Sequence, residues 1–173
     1  ILLFFSRLII RRYRPKIIGI TGSVGKTSTK GAICAVLSSR FRVRQSVKSY
    51  NNEIGVPLTI IGSESANRSI VGWVKIIFKA IRLILWKSQA YPEMLVLEIG
   101  ADQPGAIAYL TRMAPCDVGV LTAIAPAHLE KFETIENIAA EKRVIIHHLR
   151  PGEVAILNGD NALVTKTSVP SGV

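Results

Sequence analysis

The sequence predicts an α/β fold, a mostly parallel sheet with helices on both faces. Three observations predict it. Four apolar runs (Ile17 to Thr21, Met94 to Ile99, Val118 to Ile124 and Val154 to Leu157) have the length and branching of buried strands. Segments of helical period lie between them. The first run passes into small residues, Gly22-Ser23-Val24-Gly25, then directly into Lys26-Thr27 and a helical pattern. A strand, a glycine-bearing loop and a helix in that order turn several N–H groups and a positive helix end toward one point.

In chain order, Ile1 to Ile10 is almost wholly apolar and is followed by Arg11, Arg12, Tyr13 and Arg14. So short a run cannot span a bilayer. Three readings of residues 1–15 stay open: the cytoplasmic end of a truncated transmembrane helix, an interfacial helix, or a helix that packs on another domain. Thr27 to Ser38 reads as a helix. Phe41 to Val47 alternates apolar and basic residues, as a half-exposed strand does, and Lys48 to Asn52 is a polar loop. Ile54 to Ile61, with Pro57 near its start, predicts a short helix. Gly105 to Met113 and Thr134 to Leu149 predict two more, with Thr134 as N-cap of the second. Thr165 to Val173 reads as an unfinished loop.

Ser69 to Ser88 predicts an amphipathic helix inserted into this pattern. Ile70, Trp73, Val74, Ile77, Ile81, Ile84 and Leu85 form its expected apolar face, and Lys75, Lys79 and Arg82 form a basic stripe. Such a helix lies on an anionic membrane, or packs on the domain with its lysines in solvent.

The 173 residues are enough for one domain with a real core, and an apolar content of 49% rules out a disordered chain. Net charge is +10, concentrated in Arg7 to Lys16, Arg40 to Lys48 and Arg68 to Lys87. Aromatic residues make up only 6%, and no nucleic-acid motif occurs. A phosphate-rich substrate or a membrane surface is therefore the expected partner, and nucleic acid is not. Cys34 and Cys116 lack metal-ligand spacing, which points to a reduced cytoplasmic compartment.

The loop points to nucleotide phosphates. Lys26 would reach the β/γ-phosphates and the Thr27 hydroxyl would bind Mg²⁺. The strict pattern asks for glycine where this chain has Ile20, with Gly19 one place too early. A glycine turn used only for sterics would have no need of Lys26, Thr27 and Ser28. In open α/β sheets ligands sit at the carboxyl ends of strands, which groups the loop with Glu98 and His128 on one rim. An acid ending a buried strand beside a phosphate loop is placed to hold Mg²⁺; backbone amides of Gly100 and Ala101 could equally satisfy it. Taken alone, His128 reads as a structural loop histidine, Lys142 as a solvated helix charge, and Asn51-Asn52-Glu53 as turn and cap chemistry. His147 and His148 end a helix, where they interact with its dipole.

Thr21-Gly22-Ser23-Val24-Gly25-Lys26-Thr27-Ser28-Thr29 resembles the ATP loop of the Mur ligases. Asn51 to Thr59 is similar to the pattern of those members that add D-alanyl-D-alanine to a UDP-muramoyl tripeptide. Glu98-Ile99-Gly100-Ala101, Ala127-His128-Leu129-Glu130 and Leu157-Asn158-Gly159-Asp160-Asn161 follow in the family's order. The resemblance implies a P-loop NTPase-like domain, here an incomplete Mur ligase central domain over residues 16–173. It implies an ATP-dependent amide ligase of peptidoglycan precursor synthesis, acting through an acyl phosphate. Thr21, Gly22, Ser23, Val24, Gly25, Lys26, Thr27 and Ser28 would hold ATP. Thr27, Glu98, His128 and a carbamylated Lys142 would hold two Mg²⁺ ions. Lys26 and Lys142 would be catalytic, and Asn51 and Asn52 would face the UDP-sugar-peptide. Val144 stands where the family usually has glutamate. The resemblance also implies a C-terminal ligase domain beyond this chain. Another amide ligase of the same scaffold, of polyglutamate or cyanophycin type, fits the same ATP site. A membrane-associated nucleotide-binding module without ligase chemistry fits the basic, apolar segments.

Overall fold

The computed structural model describes residues 1–47, 50–127 and 129–173. Lys48, Ser49 and His128 lie outside the described residues, so the expectation for His128 and part of the loop 48–52 go with them. The elements are α1 (Leu2–Tyr13), β1 (Lys16–Thr21), α2 (Lys26–Leu37), β2 (Val43–Gln45), α3 (Gly55–Ile61), α4 (Ile70–Leu85), β3 (Met94–Glu98), α5 (Ala106–Met113), β4 (Val118–Leu121), α6 (Leu129–Phe132), α7 (Ile135–His147), β5 (Val154–Leu157) and α8 (Ala162–Thr165).

The strands form one sheet in the order β2-β3-β1-β4-β5. All four pairings are parallel. The first strand is central, and later strands are added on both sides of it. That arrangement opens a crevice beyond its carboxyl end, where the chain direction reverses. Register puts Ile20 beside Glu98 on one side and beside Val120 on the other.

Central strands buried on both faces need apolar residues at every position. Ile18 and Ile20 pack on one side with Val96, Val120 and Cys34 of α2. Ile17, Leu95, Leu97 and Leu121 join a larger core with α3, α5 and α7 on the other. Every residue of α3 is buried, and its one polar side chain, Thr59, donates to Gly55 O at 3.0 Å. Two helices start where the sequence places them: Ser69 accepts a hydrogen bond from Gly72 N at 3.1 Å, and Thr134 one from Asn137 N at 3.2 Å.

Three expectations shift. The third apolar run stops pairing at Leu121, not Ile124, because the next residues leave the sheet to bond the loop after β1. The short helices α6 and α8 were not anticipated. On α4 the buried seam is Ile76 and Ala80, flanked by half-buried Trp73, Ile77, Leu83 and Ile84. Ile70, Val74, Ile81 and Leu85 of the expected apolar face are exposed, so only part of that face packs on the domain. Lys79, expected in the solvated stripe, turns inward and donates to the Gly62 carbonyl that ends α3.

α1 packs on this same domain, against α3 and α4. Ile9 is fully buried in the main core. The Tyr13 ring stacks on Tyr91 at 4.0 Å. Its hydroxyl donates to Leu83 O at 3.0 Å and accepts from Ser88 N at 2.9 Å, tying α1 to the end of α4. Arg44 sits over the Tyr91 ring, 5.0 Å from its centroid. Burial pushes the Arg44 guanidinium below and the Tyr91 phenol above their ordinary values. Ile9→Ala should lower stability by about 2–5 kcal/mol, the usual range for an aliphatic truncation in a packed core. The urea midpoint checks this, and an unchanged midpoint would show that α1 is not part of the folding unit.

Candidate functional site

The loop after β1 is held in shape by its neighbours. Gly22 has φ 153°, and a Cβ there would lie 2.0 Å from Thr122 Oγ1. Gly25 opens α2 at φ 86°, a left-handed conformation natural to glycine. Ser23 N donates to Ala123 O at 2.7 Å, and the Ser23 hydroxyl donates to Ala125 O at 2.8 Å while accepting from Ala125 N. The Thr122 hydroxyl donates to Val24 O at 2.6 Å. The segment 122–125 is braced in turn by Asn158, whose amide donates to Thr122 O at 2.8 Å. Asn161 does the same to Ile124 O at 3.1 Å.

Ile20 is fully buried within β1, so the strand runs through the position where the strict loop pattern wants glycine. Thr21 is also buried, with its hydroxyl donating to Ile99 O at 2.8 Å. Val24, Gly25, Thr27 and Ser28 are exposed at the loop and the first turn of α2. The Lys26 ammonium folds onto the loop carbonyls, 2.7 Å from Gly22 O and 3.4 Å from Ser23 O.

Glu98 lies at the end of β3, only 2% exposed, and three elements converge on it. The Thr27 hydroxyl is 3.1 Å from Oε2 and the Lys30 ammonium 3.3 Å from the same oxygen. The Asn51 amide donates to Oε1 at 3.3 Å. Lys30 also donates to Ser46 O at 3.0 Å, and the Ser46 hydroxyl accepts from Glu98 N at 3.1 Å. The sequence reading missed Lys30 and Ser46. Lys30 stands three residues after Thr27, so helical spacing alone puts both on one face of α2.

Asn52 caps α3, its side chain accepting from Gly55 N at 2.9 Å and Ile54 N at 3.2 Å. It also lines a cleft of about 430 Å³ with Gly100, Asp102, Gly105 and Tyr109. Lys142 on α7 is buried rather than solvated. Desolvation, with repulsion from Lys26 second, pushes its amine down to about 8, against pull from Glu141 and Asp102. Glu141 accepts from Gly105 N and Ile107 N, both at 2.8 Å, and so fastens α7 to the start of α5. His148 Nδ1 lies 2.6 Å from the Thr111 hydroxyl, and His147 Nε2 lies 3.3 Å from that of Ser168.

The oxygen donors Thr27 and Glu98 suit a hard cation that keeps water and phosphate oxygens in its shell, as Mg²⁺ does. Among the described residues no three His, Cys, Asp or Glu side chains gather into a metal cage. The arrangement offers an exposed loop and helix start at Val24, Gly25, Thr27 and Ser28, the ammonium groups of Lys26 and Lys142, and the Glu98 carboxylate bonded to Thr27. Chemically it is fitted to gather and neutralise a polyanion.

Two outcomes follow from this geometry. Lys30→Met leaves Glu98 buried without its ion-pair partner and should cost about 3–5 kcal/mol, most of it recovered when Glu98→Gln is added. A double-mutant cycle by urea unfolding measures it; additive losses would refute the coupling. For Lys142, the folded amine loses its proton at about 8 and the unfolded one at 10.5. Between those values the unfolded chain binds more protons, so stability rises with pH across the window. In CO₂-free buffer Lys142→Met should be more stable than the parent at neutral pH, and the difference should shrink as pH climbs toward the upper value. Unfolding at several pH values checks the sign.

Residues 20–71 and 80–170 match the model of the Mur ligase middle domain. The chain is 34% identical over 159 residues to the UDP-N-acetylmuramoyl-tripeptide–D-alanyl-D-alanine ligase of Bacillus subtilis, covering 92% of this chain and 29% of that protein. It is 36% identical over 148 residues to the enzyme of the same name from Mycobacterium leprae, covering 86% of this chain and 24% of that one. The MurF ligase of Thermotoga maritima, solved in complex with ADP, superposes with a TM-score of 0.69 at 32% identity, over 92% of this chain and 32% of that one. MurF of Acinetobacter baumannii shares the fold, with a TM-score of 0.75 at 23% identity, over 96% of this chain and 31% of the other. The chain thus spans less than a third of the length of these relatives. With a five-stranded parallel sheet, a braced phosphate-type loop and a family match over most of its length, the chain belongs to the Mur ligase family, as its middle domain.

Proposed function

We propose that this chain supplies the ATP and Mg²⁺ site of a ligase that joins D-alanyl-D-alanine to a UDP-muramoyl tripeptide. The observation that carries the reading is Glu98, held by Thr27 and Asn51 beside the loop that bears Lys26. A substrate carboxylate oxygen attacks the γ-phosphorus of ATP, ADP leaves, and an acyl phosphate forms. The dipeptide amine then attacks the acyl carbon, phosphate leaves, the nitrogen loses its proton, and the amide remains. A carboxylate approaching a triphosphate meets strong repulsion. The loop amides and Lys26 reduce it by donating to the phosphate oxygens. Bound Mg²⁺ would neutralise phosphate charge, held by the Thr27 hydroxyl and the Glu98 carboxylate.

Thr21, Gly22, Ser23, Val24, Gly25 and Ser28 shape or line the phosphate side. Asn51 and Asn52 stand on the side of the cleft that would receive the UDP-sugar-peptide. A second Mg²⁺ would use His128 and a carbamylated Lys142. Carbamylation needs a neutral amine, and an amine at about 8 is neutral in roughly a tenth of molecules at pH 7, far more than an ordinary lysine. A C-terminal domain of the full-length protein would select the amine. The reduced, buried Cys34 and Cys116 support a cytoplasmic location, and the basic, apolar α1 and α4 support peripheral contact with the inner membrane face.

In the full-length protein, Lys26→Ala or Glu98→Ala should each lower ATP-dependent ligation by about 10²–10³-fold or more, the range seen when one stabilising group is removed. Product formation from UDP-muramoyl tripeptide and D-alanyl-D-alanine measures it. Unchanged turnover in either variant would overturn the assignment.

A further inference from the structure

α4 is apolar on two sides. Its inner side is the seam of Ile76 and Ala80. Its outer side is a second row, Val71, Val74, Phe78, Ile81 and Leu85, at alternating spacings of three and four residues. These are 65%, 59%, 67%, 37% and 59% exposed. Residues so spaced form one stripe along a helix. Lys75 and Arg82 each follow a member of the row by one turn and border it. Trp86, 65% exposed, and Lys87 close its end, where Arg12 of α1 donates to Leu85 O at 3.2 Å.

The surroundings decide what such a row meets. No Asp or Glu occurs between Glu64 and Glu93, nor before Glu53. A second copy of this chain would therefore bring cations against cations. The family match breaks over residues 72–79, so this part of the helix is no requirement of the shared fold. No helix among the described residues is long and apolar enough to cross a membrane. A helix with an apolar row, a cationic border and a terminal tryptophan is suited to lie in the plane of a bilayer surface.

We propose that the outer row of α4 docks the protein on anionic lipid, Phe78 and its neighbours entering the acyl boundary while Lys75, Arg82, Lys87 and Arg12 meet the headgroups. The proposal rests on the peripheral membrane contact inferred above and names its element and its lipid class; it does not depend on the ligase reaction.

The test is sedimentation of the full-length protein with vesicles of phosphatidylcholine alone or mixed with phosphatidylglycerol. Binding should rise roughly tenfold with the anionic lipid and fall at high ionic strength. Both V74E/F78E and the charge reversal K75E/R82E change only exposed positions and should lose that binding while keeping the parent's thermal midpoint. Binding that survives both variants overturns the role of α4 but keeps the membrane contact. No binding to either vesicle overturns both. A parent dimer that V74E/F78E turns into a monomer overturns the proposal in favour of a second copy. A cysteine at F78C that resists maleimide without vesicles overturns it in favour of another part of the chain covering the row. Ligation, assayed separately, reports on the ATP site alone.

Discussion

A carboxylate in a protein interior is costly unless it is paired and fully hydrogen-bonded. Glu98 meets that condition only because three separate segments arrive together. Thr27 and Lys30 come from α2, Asn51 from the turn before α3, and Ser46 from the end of β2. Each brings its own packing: α2 on the smaller core, α3 within the larger. The charge therefore acts as a registration point between the two faces of the sheet. If the strands slipped by one residue, the carboxylate would leave these partners and face the opposite layer.

The phosphate-type loop depends on a similar convergence from the other side of β1. Nothing in Gly22 to Gly25 is rigid by itself. The loop is held by Thr122 and by the backbone of 123 and 125. That segment is held by Asn158 and Asn161 after β5. Order passes inward from the sheet edge to its centre through hydrogen bonds to main-chain groups. Two motifs far apart in the sequence thus act on one loop.

Much of this was legible before any coordinates. Strands buried on both faces leave continuous apolar runs, and the rule for ligands in open sheets was enough to put Glu98 beside the loop. What stayed hidden has physical causes. Lys30 looked like any helix lysine, because its partner comes from a strand whose position only the topology supplies. Lys142 looked solvated because its burial comes from parts of the chain that only the fold brings against α7. On α4, periodicity could not choose the buried side, since two sides are apolar. Lys79 was drawn inward by a carbonyl at the end of another helix. β4 ended early because the next residues served the loop instead of the sheet, a competition that local pattern does not record. α6 and α8 are single turns, too short for a period to show.

The Lys30–Glu98 pair sums to zero, and Lys26 adds a further positive charge nearby. A pocket without net negative charge is a weak trap for a lone divalent ion, because it offers no net attraction to draw one in. The attraction has to be imported by a polyanion. In the proposed ligase, metal and nucleotide would accordingly arrive as one species, and occupancy by the ion would track the concentration of its anionic carrier.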